Sequence, residues 1–204
     1  MAFEFVENCI IKYQEIEDPD IKRIGRLKHC FYAVPELYIQ KAITAFEPFP
    51  AELHEFYETV GFGFMNRQKN IGNCIIDPMS LVYINKQEGY LATEKVKEFA
   101  NYYDVNQFLL FFHSFDEHYF AIRREAINGK NEIWYKDKRI AHSLRDFIYY
   151  CYTDSDYILL HIARDEVKMK REKALQEKKE RKRIEEERSK IRYLGGHILI
   201  DPFP

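Results

Sequence analysis

QFLLFFHSFDEHYFAIRRE, Gln107–Glu125, reads as two strands joined by a tight polar turn. Phe108, Leu109, Leu110, Phe111 and Phe112 form a nearly unbroken apolar run, the pattern of a strand covered on both faces and therefore central in its sheet. Ser114-Phe115-Asp116-Glu117 places short polar residues where the chain must reverse. Tyr119, Phe120 and Ile122 then resume the β-favouring composition.

Downstream of this hairpin, Asn128-Gly129 is a strong turn signal and Glu132-Ile133-Trp134-Tyr135 reads as a third antiparallel strand. Ser143-Leu144-Arg145-Asp146 has capping-box spacing, with Leu144, Phe147, Ile148 and Cys151 as the buried side of the helix it opens. A last folded element starts near Asp154-Ser155, with Tyr157, Ile158, Leu160, His161 and Ile162 expected inside.

Upstream, Pro50 begins a helix in which Leu53, Phe56, Tyr57 and Val60 share one apolar face and Glu52, Glu55 and Glu58 fall on the opposite one. Gly61 ends it, and Gly63 keeps the next segment compact or bent. After the polar loop Arg67–Asn73, Cys74-Ile75-Ile76 reads as a short strand and Asp77-Pro78 opens a helix over Met79–Lys86. Thr93 caps another through Tyr103. The first quarter reads as helical. Phe3, Val6, Cys9, Ile10, Tyr13 and Ile16 recur at helical spacing, Asp18-Pro19 opens a second helix, and Val34-Pro35 opens a third.

With 204 residues, 46% hydrophobic and 31% charged, the chain suits one well-buried domain plus an appendage. The start carries no basic n-region, and no apolar run approaches the length of about 18 residues that spans a membrane, so an intracellular, cytoplasmic protein is expected. Cys9, Cys30, Cys74 and Cys151 stand far apart with no C-x-x-C pair, which indicates reduced thiols and no zinc site. Charge is divided unevenly. Arg164–Arg192 holds 13 basic and 8 acidic residues, net +5, so the rest, 18 basic and 25 acidic, is net −7. An acidic body favours basic partners and disfavours direct nucleic-acid binding.

This order of signals resembles the SUKH superfamily, the Smi–Knr-type domain of many bacterial immunity proteins. The helix Phe49-Pro50 to Gly61, the segment Ile76-Asp77-Pro78-Met79-Ser80-Leu81, the strand pair Leu110–Ile122, the strand Ile133–Tyr135 and the helix start Ala141–Phe147 carry the likeness. It covers about Ala42 to Tyr152, with Val60-Gly61-Phe62 where the family has Asn-Gly. The resemblance implies an α+β fold, a mainly antiparallel sheet flanked by helices, to which this sequence adds a long charged C-terminal helix. It also implies a protein without an active site that binds and neutralises a cognate toxin, often a nuclease. A scaffold or regulatory module is the alternative, and a nucleic-acid-associated protein using the basic tail comes third.

The residues expected to meet a basic partner are Glu52, Glu55 and Glu58, with Asp116 and Glu117 at the turn. His113 and His118 flank that turn, but strand ends do not converge as metal ligands or an acid–base pair must, so no metal, cofactor or catalytic role is expected. G-x-S-x-G, P-loop and H-E-x-x-H signatures are missing from the sequence. Residues 1–162 are expected to form the domain and 163–204 a charged helical extension. Its apolar residues are too sparse for a coiled-coil seam, and its interleaved glutamates weaken contact with phosphates. Glu166–Lys170, Glu177–Arg181 and Glu186–Lys190 are favourable i, i+4 pairs, and Gly195-Gly196 ends the helix before a β-prone His197–Ile200. That end suits docking on a second copy or on the toxin.

Overall fold

A computed structural model describes residues 2–11, 27–67, 73–114 and 118–195, with side chains as far as Glu187. Eight strands hydrogen-bond in chain order. They are β1 (Ile10–Ile11), β2 (Cys30–Tyr32), β3 (Phe62–Met65), β4 (Asn73–Ile75), β5 (Phe108–Ser114), β6 (His118–Arg123), β7 (Ile133–Tyr135) and β8 (Lys138–Ala141). β1 runs parallel to β2, and every later neighbour is antiparallel. Around the sheet lie α1 (Glu36–Ala45), α2 (Ala51–Thr59), α3 (Pro78–Lys86), α4 (Glu94–Ala100) and α5 (Leu144–Thr153). The fold is α+β. A long helix α6 (Tyr157–Gly195) closes the described chain.

The apolar run of β5 is buried from Leu109 to Phe112, and it lies in the middle of the sheet between β4 and β6. Phe112 sits opposite Phe120 of β6 with rings 5.6 Å apart, and Phe147 of α5 meets Phe112 edge-on at 5.0 Å. Such edge-on pairs each contribute about 0.5–1.5 kcal/mol beyond simple burial. β4 pairs with β5 only at Cys74↔His113 and Ile75↔Phe112, so the backbone of Leu110 has no partner from β4. Asn85 of α3 closes that gap, because its amide nitrogen donates to the Leu110 carbonyl at 2.9 Å and its oxygen accepts from the Leu110 amide at 2.8 Å.

The predicted caps form. Asp77 accepts from the amides of Met79 and Ser80, both at 3.0 Å, Thr93 from Val96 at 3.3 Å, and Ser143 from Asp146 at 3.0 Å. The first quarter is not all helix, however. Glu4–Cys9 is a 3-10 helix followed by β1, so the expected helix from Phe3 to Ile16 ends early. Phe3, Val6 and Cys9 recur every three residues, which satisfies a three-residue turn as well as it starts an α-helix, and all three are buried. The helix proposed at Asp18-Pro19 lies outside the described residues. Helix α4 ends at Ala100, where the amides of Tyr102 and Tyr103 fall back to the carbonyls of Phe99 and Ala100.

β3 follows directly on Gly61. Gly61 and Gly63 have φ of +109° and +152°, and a Cβ at either would stand 1.9 Å from the Tyr32 carbonyl oxygen or 2.1 Å from that of Cys30. Glycine is therefore required for β3 to lie against β2. The chain divides into two compact units, Met1–Ile158 and Leu159–Pro204. No helix among the described residues is long and apolar enough to cross a membrane.

Candidate partner-binding surface

Helix α2 buries Leu53, Phe56 and Tyr57, which leaves its glutamates on the other side. The three acids nevertheless have different fates. Glu52 is turned inward. Its carboxylate oxygen Oε2 accepts from the Asn131 amide at 2.6 Å and from the Leu144 amide at 3.2 Å, while its own amide donates to Asn131 Oδ1 at 3.0 Å. Asn131 is fully buried and donates onward to the carbonyls of Arg123 and Arg124. Burial pushes the Glu52 carboxyl above its usual range, against the opposing pull of the amides of Asn131 and Leu144. This side chain ties α2, the segment before β7 and the start of α5 together.

Glu55 and Glu58 face outward. Glu58 is exposed beside His54 at 3.2 Å, and Glu55 accepts from the Ala2 amide at 3.4 Å. Ala2 in turn accepts from Arg145 Nε of α5 at 2.9 Å. Three residues on, Phe5 meets Tyr149 and Tyr152 of α5 edge-on at 5.5 and 5.7 Å. The N-terminal segment thus runs from α2 to α5 and joins their outer sides into one surface. Glu4 and Glu7, one 3-10 turn apart, are both exposed on it. Tyr149 is 50% exposed and Tyr150 43%, large aromatic area left in water on a helix whose other side is fully buried. Acids beside half-exposed tyrosines are what a basic protein surface needs, because charge steers the encounter and tyrosine supplies contact area at low entropic cost.

The sequence missed the aromatic half of this surface, although the signal was present. Reading Leu144, Phe147, Ile148 and Cys151 as the buried side of α5 leaves Tyr149, Tyr150 and Tyr152 over. Asp116 and Glu117 lie outside the described residues. Of the histidines flanking them, His113 leans on Tyr119 with rings 5.0 Å apart, and His118 Nδ1 shares a hydrogen bond of 2.7 Å with the Tyr135 hydroxyl. Among the described residues no group of three or more His, Cys, Asp or Glu is placed to hold a metal ion. None of the four cysteines forms a disulfide, and burial pushes the Cys74 thiol up to about 12, far from a reactive thiolate.

No family model matches the chain, and no solved structure matches it. It is similar to a protein named Immunity protein YxxD from Bacillus subtilis (strain 168), 36% identical over 103 residues. The match takes in 48% of this chain and 66% of the relative, so the chain spans just under two thirds of that protein's length. The likeness supports a relationship to immunity proteins.

Proposed function

We propose that this chain is a non-enzymatic, cytoplasmic immunity protein of the SUKH type that binds a basic toxin domain and blocks its working face by occlusion. The observation that carries the reading is the surface of α2, the N-terminal segment and α5. Exposed Glu4, Glu7 and Glu58, half-buried Glu55, and half-exposed Tyr149 and Tyr150 belong to these three elements, which Ala2 and Phe5 join. The similarity to Immunity protein YxxD supports the same reading, and a nuclease is the toxin class that an acidic protein surface opposes best, since nucleases present cations to phosphate. Asp116 and Glu117 belong to this reading as further acidic residues for a basic partner, and the inward-turned Glu52 as the support of the surface.

The test pairs this protein with the toxin domain encoded beside it. Co-expression restores growth, and the purified pair associates faster at 50 mM than at 500 mM salt, because exposed charges are screened over about 8–10 Å near physiological ionic strength. Charge reversal in Glu7→Lys with Glu58→Lys slows association about tenfold, and Tyr149→Ala speeds dissociation by a similar factor. Growth unrestored, with no binding at low salt, overturns the proposal.

A further inference from the structure

Helix α6 carries a block that complements this surface. Lys168–Arg183 contains nine basic and three acidic side chains, net +6 within about 24 Å of helix. Every one of these residues is exposed, and Met169 and Leu175 are 50% and 55% exposed between the cations. Arg183 approaches Glu180 at 2.9 Å and Glu187 at 4.0 Å, and Lys182 lies 3.8 Å from Glu186. The block therefore offers cations and apolar side chains together, as the surface of α2 and α5 offers acids and tyrosines together.

We infer that the basic block of α6 docks on the acidic tyrosine surface of a second copy of this chain, each copy giving one arm and receiving one. Charge complementarity chooses the occupant: a block of net +6 meets Glu4, Glu7, Glu55 and Glu58, while Met169 and Leu175 meet Tyr149 and Tyr150. Reciprocity sets the stoichiometry, because two identical chains exchanging identical arms close as a twofold dimer with both surfaces filled. The inference rests on the surface assigned above to the toxin, so the dimer and the toxin complex compete for it.

Full-length protein is examined by analytical ultracentrifugation at about 100 µM in 50 mM and in 500 mM salt. A dimer at low salt that dissociates at high salt is expected. Glu7→Lys with Glu58→Lys, and separately Lys178→Glu with Lys179→Glu, each weaken it at least tenfold while circular dichroism stays native. Mixing the two variants restores association, since the reversed arm then meets the reversed surface and the native arm the native one. A monomer at both salts, a dimer that neither pair weakens, or variants that stay apart when mixed overturn the inference. These outcomes separate it from the immunity reading. Lys178→Glu with Lys179→Glu leaves toxin binding intact, and loss of toxin binding by the wild type leaves the dimer untouched.

Discussion

Replacing Glu52 separates a support from a contact surface, and the two roles predict opposite results. In Glu52→Ala the amides of Asn131 and Leu144 lose their acceptor in a part-buried position. A hydrogen bond to a charged group contributes about 1.5–3 kcal/mol, so two of them, discounted for partial water access, amount to about 2–4 kcal/mol. With a urea slope of about 2 kcal/mol per molar for a domain of this size, the unfolding midpoint falls by roughly 1–2 M. Glu52→Gln keeps the shape and one oxygen able to accept, and it removes a charge that burial opposes, so it costs about 1 kcal/mol or less. The sign with pH follows. A carboxyl raised in the folded state favours folding when protonated and loses that advantage as pH rises through its folded value. The deficit of Glu52→Gln therefore shrinks between pH 4 and 7. Equal losses in both variants, or a loss under about 0.5 kcal/mol in Glu52→Ala, would refute the account of Glu52 as a neutral-tolerant tie between α2 and α5.

Substitutions at three glycines and at His29 test the frame that holds the surface. Gly61→Ala and Gly63→Ala put a Cβ against the backbone of β2 at a left-handed φ and should each cost about 3 kcal/mol or more, read as lost soluble yield or midpoint. Gly129→Ala, at φ +75° with nothing within 4 Å, should cost about 1 kcal/mol. His29 is 3% exposed and stacked on Tyr152, and burial first, with Lys28 beside it, lowers it to about 4. Its stabilising contribution is complete above the unfolded value of 6.5 and is lost as pH falls toward 4, by up to about 1.4 kcal/mol per pH unit. Urea midpoints of wild type and His29→Gln should converge over that window, and parallel curves would exclude His29 as the cause.

Helix starts and the central hairpin were legible because each is written in a few adjacent residues. Asp77-Pro78, Thr93 and Ser143 are caps whose amide donors lie two or three residues ahead, and the run Phe108–Phe112 needs no distant partner to read as a doubly covered strand. β2, β3 and β8 were missed because their identity is relational. Phe62-Gly63-Phe64-Met65 becomes a strand only where Cys30–Tyr32 lies alongside, and β8 presents exposed Lys138 and Arg139, which suit a sheet edge and disguise a strand in the sequence. The same limit applies to Glu52. Helical periodicity places it on the polar face of α2, and only the fold brings Asn131 and Leu144, 79 and 92 residues away in sequence, onto its oxygen.

One surface can serve both a second copy and a toxin only if the affinities are ordered. An arm held by exposed charge and two apolar side chains is a weak ligand, since exposed ion pairs contribute about 0–1 kcal/mol each and are screened by salt. On the proposed reading a folded toxin domain would meet the same acids and tyrosines over a larger desolvated area, where aromatic anchors dominate the energy. A dimer dissociating near 10–100 µM beside a toxin complex near 10 nM differs from it by about 4–5 kcal/mol, enough for stoichiometric toxin to displace the arm. The dimer would then cover Tyr149 and Tyr150 while no toxin is present, which limits nonspecific contact by exposed aromatic area without competing seriously when toxin arrives. The order is measurable by titrating toxin into the low-salt dimer. Release of monomeric 1:1 complexes fits it, whereas a dimer that binds toxin without coming apart puts the toxin on another face.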